Sequence, residues 1–360
     1  MILLATLINR FRKTFLQQYE NFVLPGHLNA LTAMAGCRQT MGPHMLAQCS
    51  DHHCGEQVYI PHSCGHRSCP RCQNHESQQW IDNQLGRRLP AQYYLLTFTL
   101  PEQLRDLAWR NQRIVYSLMF SSVKELLKTF TKNDKNLAGS AGFTAILHTH
   151  NRALDHHPHI HVVMPAASIN LKTRLWRTKS SGYLFSQTAM AEVFRAKLLQ
   201  ALVDQGLRVP KNCPAQWVVD CKNVGRGDKA IVYLGKYLYR GVLREKDILS
   251  CENGLVTFRY LHAKSGKYRT RSVTGEKFLY LLMLHVLPKG FRRARGYGFL
   301  HPCSKKLVRF LQMVLRVPGF KMITAVKKRT PIKCPQCGAA MKIIQTMIPP
   351  PLSNPIVCHT

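Results

Sequence analysis

Acidic side chains are scarce in this 360-residue chain: 18 Asp and Glu stand against 51 Lys and Arg, a formal net charge of +33. No ordinary solvated surface needs that excess, so the deficit points to a polyanionic partner, nucleic acid first. Long apolar runs are missing too. No stretch reaches about 18 apolar residues, and FLYLLMLHVLP (278–288) is short and contains His285, so no bilayer-spanning helix is expected. A membrane surface would instead call for a basic amphipathic helix or a lipidation signal. The opening MILLATLINRFRKTFL has no charged leader and no clear small-residue cleavage site, and it reads as an amphipathic helix rather than a signal peptide. Internal repeats and a regular βαβ rhythm are absent, which leaves α+β as the reading of the middle region.

Cysteine, in contrast, is abundant: thirteen residues, six of them (Cys37, Cys49, Cys54, Cys64, Cys69, Cys72) crowded near the front. An odd count in a basic chain without a secretion signal fits reduced thiols and metal better than disulfides. Residues 36–80 are rich in Cys and His and poor in periodicity, so a metal has to fold them. Cys69-Pro70-Arg71-Cys72 is a C-x2-C knuckle able to grip one Zn²⁺, with Cys49 and Cys54 as the simplest partner pair and Cys64 or His66 as substitutes. Cys334-Pro335-Gln336-Cys337 is a second knuckle, for which Cys358 and His359 are the partners in sequence.

The segment HHPHIHVVMP (156–165) joins four histidines to an apolar run. Pro158 argues against a helix interior and Val162 and Val163 favour a strand. On a strand, His159 and His161 share one face with Ile160 on the other, which is a metal-binding geometry. Burying two imidazoles without partners is costly. His148, His150, His156 and His157 come within reach if strand 142–150 pairs with this one. A His-rich site completed by phosphate oxygens suits Mg²⁺ or Mn²⁺, and would suit zinc as well.

Helix 228–241 puts Tyr233 and Tyr237 at i and i+4, with Lys236 beside them. A phenol with pKa ~10 is a poor nucleophile at neutral pH unless a cation or a metal-polarised phosphate is near. Aromatic residues on one helix face are as a rule core, so this pair alone does not establish catalysis. The remaining pattern predicts helices over 1–35, 74–89, about 102–130, 188–206, 274–287 and 304–315. Strands are predicted over 93–101, 142–150, 156–165 and 215–223, and a basic hairpin turns at Ser265 and Gly266; RRARGYG (292–298) reads as a loop. Four units follow: 1–35, an N-terminal helix; 36–90, a small zinc-binding, DNA-binding unit; 91–325, the main domain; and 326–360, a Cys-containing tail.

TFTL (97–100), HIHVV (159–163) and YLGK (233–236) stand in the order of the HUH endonuclease motifs. With C-x4-C-P-R-C (64–72), LHTHNR…HPHIHVV, YLGKYLYRG and LPKGFRRARGYGFL, residues 36–340 resemble transposases of the insertion-sequence 91 family. The resemblance implies an HUH-like (ferredoxin-like) antiparallel sheet with flanking helices. It implies His159 and His161 as metal ligands, with His148 as a third, and Tyr233 and Tyr237 as paired nucleophiles with Lys236 close by. The activity implied is nicking and rejoining of single-stranded DNA through a 5′-phosphotyrosine. Arg269, Arg271, Arg292, Arg293 and Arg295 become candidate DNA-backbone contacts. The partners implied are single-stranded or hairpin ends of a mobile element in the bacterial cytoplasm, at the nucleoid; a homodimer is compatible. One departure is His150 in HTHNR, where an aromatic residue is expected. A rolling-circle replication initiator or relaxase shares the chemistry. A zinc-dependent DNA-binding protein without catalysis is the reading from another class.

Overall fold

The computed structural model describes residues 2–39, 44–72, 74–170, 172–238, 241–262, 265–317 and 331–347. In chain order, helices α1 (Leu4–Gln18) and α2 (Pro25–Ala35) precede a hairpin of β1 (His44–Cys49) and β2 (Gln57–Pro61), then α3 (Asn74–Leu85) and β3 (Tyr93–Thr99). Next come α4 (Arg105–Arg110), α5 (Gln112–Asn133), β4 (Ser140–Ala141), β5 (Phe143–His150), β6 (His156–Pro165), β7 (Ala167–Asn170) and β8 (Leu175–Thr178). Helix α6 (Gln187–Asp204), β9 (Val219–Asn223), α7 (Asp228–Leu238), β10 (Ile248–Glu252), β11 (Leu255–Leu261) and β12 (Tyr268–Thr274) follow. Helix α8 (Gly275–Met283), β13 (Ala294–Tyr297), α9 (Lys305–Val314) and β14 (Met341–Thr346) complete the order.

The fold is α+β. Its centre is a five-stranded antiparallel sheet in the order β13-β5-β6-β3-β9. Side-chain alternation divides the sheet cleanly. Leu96, Phe98, Ala145, Leu147, Ile160, Val162 and Met164 face α5 and α6, where they pack with Val115, Met119, Phe120, Val123, Phe194 and Leu198. The opposite face carries Tyr93, Ile146 and Val163, covered by Ala230, Ile231, Leu234 and Leu238 of α7. Further along that second face stand His148, His159 and His161.

A separate apolar cluster joins α1 and α2 to α8 and to the β10-β11-β12 sheet, and it includes Cys37, Cys69 and Cys72. Cys37, Cys69 and Cys72 are thus packed together with α1, α2 and α8. The helix expected over 1–35 is broken by a 3-10 turn at Glu20–Phe22, and Pro25 restarts it at a position where its missing N–H is harmless. The helix expected from about 102 is interrupted at Asn111, which leaves helical backbone at φ −125°. The RRARGYG segment, read as a loop, contains edge strand β13, paired residue for residue from Ala294↔Ile146 to Tyr297↔Phe143. Among the described residues, no helix is long and apolar enough to cross a membrane.

Several histidines are buried in the neutral form. His27 stacks on Trp109 with ring centroids 5.4 Å apart, and burial lowers its pKa to about 4. His285, donating Nε2–H to the Leu154 carbonyl at 3.0 Å, is likewise lowered by burial to about 4. A depressed histidine binds its proton more readily in the unfolded chain, so its contribution to stability is intact above pH ~6.5 and is lost as pH falls toward the folded value. Each such ring costs about 1.4 kcal/mol per pH unit across that window. Thermal unfolding is therefore expected to be flat from pH 8 to 6.5 and to shift steadily downward from 6.5 to 4.5, with a shallower slope in His27→Gln. A midpoint constant to pH 4.5 contradicts this assignment.

Candidate metal centre

Strand register sets the site. His148 on β5 is paired with His159 on β6, and His161 on β6 is paired with Thr97 on β3. The rings of His148 and His161 lie 4.7 Å apart, those of His159 and His161 4.8 Å, and those of His148 and His159 5.4 Å. One ligand nitrogen from each lies within 4.8 Å of the other two.

Hydrogen bonds orient two of these rings. His159 Nδ1–H donates to the His157 carbonyl at 2.7 Å, which leaves Nε2 with its lone pair. His161 Nδ1 lies 2.9 Å from Thr97 Oγ1; with the proton on Nδ1, its Nε2 is likewise free to bind. This is the outer-sphere pattern that fixes tautomer in metal-binding histidines. Burial lowers His161 to about 3, with His159 adding to the effect, and His159 to about 4; the same burial lowers His148. All three are neutral at pH 7, and a set of three converging imidazoles fits a divalent cation.

His150 belongs elsewhere. It pairs with His156 past a register shift and contacts His285 at 5.3 Å, so His148 completes the trio. The turn between β5 and β6 is pinned from both sides. Asn151 Oδ1 accepts from the backbone N–H of Ala153 and of Asp155, and Arg271 Nη1 donates to the Ala153 carbonyl and Asp155.

Helix α7 lies on the histidine face. Its first turn sits by Tyr93, whose ring leaves no space for a side chain at Gly227, and Asp228 is ion-paired with Arg88. At its far end, the Leu238 carbonyl accepts from Arg293 Nη1 at 3.0 Å, and the Arg293 carbonyl accepts from the N–H of Leu147, the residue before His148. The helix thus runs along the strands toward the histidine row. Tyr233 is 40% exposed, so it is not a core aromatic, and Lys236 is exposed. The side chain of Tyr237 lies outside what the structure describes.

A thiol cluster braces this helix. Cys37, Cys64, Cys69 and Cys72 converge, with sulfur separations of 3.5 Å (Cys37–Cys72), 3.6 Å (Cys64–Cys72) and 3.6 Å (Cys37–Cys69). A tetrahedron with ~2.3 Å Zn–S bonds has edges of about 3.8 Å, so the set fits zinc. The partners of Cys69 and Cys72 are therefore Cys37 and Cys64, not Cys49 and Cys54. The latter two meet Cys334 and Cys337, while Cys358 and His359 lie outside the described residues.

Helix α3, which follows the knuckle, rests directly on α7. Ser77 Oγ donates to the Gly235 carbonyl at 2.8 Å, and a Cβ at Gly235 would collide with Ile81. Past α7, Gly241 presses on the knuckle itself, where a Cβ would come 2.6 Å from the Ser68 carbonyl oxygen. Arg67 donates to the carbonyls of Leu287, Pro288 and Phe291 at 2.8–2.9 Å, fixing the segment that leads to Arg293.

The candidate DNA contacts separate by environment. Arg269 and Arg292 are exposed. Arg271 is committed to the β5–β6 turn and Arg293 to α7. Arg295 lies over the rings of Phe120 (4.1 Å) and Phe291 (5.2 Å). Inward-turned guanidinium groups leave no trace in sequence, whereas Thr97 was signalled by TFTL without its role being legible.

Residues 142–307 match the family model described as "Putative transposase", and residues 7–100 match a "Transposase zinc-binding domain". The "Putative transposase y4qJ" of Sinorhizobium fredii (strain NBRC 101917 / NGR234) is 30% identical over 320 residues, covering 82% of this chain and 79% of that protein. The "Transposase for insertion sequence element IS801" of Pseudomonas savastanoi pv. phaseolicola is 25% identical over 341 residues, covering 87% and 82%. A solved structure, "Conjugative Relaxase TrwC in complex with mutant OriT Dna", is similar at 14% identity and TM-score 0.28, covering 62% of this chain and 73% of that one. The chain belongs to the insertion-sequence 91 family of transposases and carries that family's zinc-binding domain.

Thr97→Val keeps the β-branched shape and removes the partner of His161. Its affinity for Mn²⁺, measured by calorimetry, is expected to fall about 10-fold with little change in melting temperature. Unchanged affinity would contradict the orienting role.

Proposed function

We propose that this transposase nicks and rejoins single-stranded DNA, with His148, His159 and His161 as the metal site and the tyrosines of α7 as nucleophiles. The observation that carries the reading is the placement of α7 on the sheet face where three neutral imidazoles converge. A divalent cation bound there supplies positive charge beside the nonbridging oxygens of a scissile phosphate. Three imidazoles are a softer donor set than Mg²⁺ prefers, so Mn²⁺ would fit better.

The Tyr233 hydroxyl attacks phosphorus in line. A bond forms from tyrosine oxygen to phosphorus, the P–O3′ bond breaks, and the departing 3′-oxygen takes up a proton as the phenol gives one up. The product is a 5′-phosphotyrosine and a free 3′-hydroxyl, so rejoining needs no nucleotide cofactor. Attack on the phosphotyrosine by a different 3′-hydroxyl reverses these steps and transfers the strand. Tyr237, one helical turn away, provides the second acceptor for a 5′ end. Lys236 offers a cation to phosphate or phenolate. Exposed Arg269 and Arg292 suit the DNA backbone, in keeping with the net charge of +33. Replication initiators and relaxases share this chemistry, and membership of the transposase family assigns it here to transposition.

Labelled single-stranded DNA carrying an element end, incubated with the protein and Mn²⁺, is expected to yield a covalent adduct that survives denaturation. The adduct is expected to vanish in Tyr233→Phe/Tyr237→Phe, with DNA binding retained. Binding without an adduct under every divalent metal would instead favour a DNA-binding protein lacking catalysis.

A further inference from the structure

Cys49 ends β1 and Cys54 lies in the turn that joins β1 to β2, and Cys334 and Cys337 lie just before β14. Their four sulfurs are all within 4.8 Å of one another, with Cys49–Cys337 at 3.5 Å and Cys54–Cys334 at 3.7 Å. These are the edge lengths of a zinc–thiolate tetrahedron, about 3.8 Å. Two ligands come from each of two segments separated by 280 residues or more. The matched zinc-binding domain ends at residue 100, so half of this donor set lies beyond it.

The surroundings show why a metal is needed. Strand β14 pairs with β1 from Met45↔Thr346 to Cys49↔Met341, and the Ala340 carbonyl accepts from Ser50 N–H at 2.9 Å and Ser50 Oγ at 2.6 Å. Beneath this three-stranded sheet, however, the buried apolar cluster consists of Ala47, Cys49, Cys334 and Met341. Every residue of β14 after Met341 is exposed. A three-stranded sheet with so few buried side chains does not hold an outer strand by burial, and small units of this kind rely on metal ligation.

We propose that Cys49, Cys54, Cys334 and Cys337 bind one Zn²⁺ as a four-thiolate site separate from the knuckle at Cys37, Cys64, Cys69 and Cys72, and that this ion fastens residues 331–347 to the front hairpin. The donors select a thiophilic ion, unlike the imidazole centre, so the chain holds two structural zinc sites and one site of different chemistry. This site does not rest on the nuclease reading, because neither α7 nor the histidine trio takes part in it.

The full-length protein, purified under reducing conditions, is expected to retain about two zinc ions per chain by elemental analysis. Cys334→Ser/Cys337→Ser and Cys49→Ser/Cys54→Ser are each expected to retain about one, and tryptic cleavage at Lys333 and Lys342 is expected to speed up in both. Cys213→Ser/Cys303→Ser, outside both clusters, is expected to keep the full content. A second measurement uses the unaltered chain. Cys337 is exposed, so without metal it should react quickly with a maleimide; zinc should slow that reaction at least about tenfold. Chelation should release Cys49, Cys54, Cys334 and Cys337 together. One zinc per chain in the wild type, two in Cys334→Ser/Cys337→Ser, or Cys337 alkylation indifferent to chelation would each overturn the proposal.

Discussion

The pairing of β5, β6 and β3 is the constraint on which the rest depends. Because side chains alternate, a slip of one residue between β5 and β6 would send His148 to the α5–α6 core and bring Leu147 to the site. The register is held where it matters. Apolar side chains on the far face match a deep core, Arg271 and Asn151 close the β5–β6 turn, and His285 binds the Leu154 carbonyl inside that turn. Three neutral imidazoles, two of them buried, thereby converge on one face of the sheet.

Positioning of α7 is a second-order consequence of the same face. Its apolar stripe continues the row of Tyr93, Ile146 and Val163, and its ends are tied by Arg88 and Arg293. The zinc knuckle adds a brace from outside: α3 lies across Gly235, the knuckle turn abuts Gly241, and Arg67 fixes the segment leading to Arg293. The first thiol cluster thereby supports the helix that faces the candidate metal centre. Gly235 and Gly241 are glycines because the approaching chain leaves no room for a side chain.

Much of this was legible in the sequence. Buried apolar and β-branched runs marked β3, β5 and β6, and HPHIHVV placed two histidines on one face. The basic hairpin and the tyrosine-bearing helix were equally plain. What escaped was whatever depends on distant partners. Strand β13, with sequence ARGY, has no apolar alternation because it is an edge strand whose arginine lies over Phe120 and Phe291. The thiol pairing could not be read because the two ligand sets interleave along the chain, Cys37 and Cys64 bracketing Cys49 and Cys54. Arg271 and Arg293 looked like phosphate contacts because composition does not reveal which guanidinium groups turn inward.

The most direct test of the central claim is anomalous diffraction from crystals soaked with Mn²⁺. The account predicts one strong manganese peak bonded to imidazole nitrogens of His148, His159 and His161, on the sheet face covered by α7. A peak bonded to other side chains, or no peak at that position in well-ordered, Mn²⁺-saturated crystals, would contradict it.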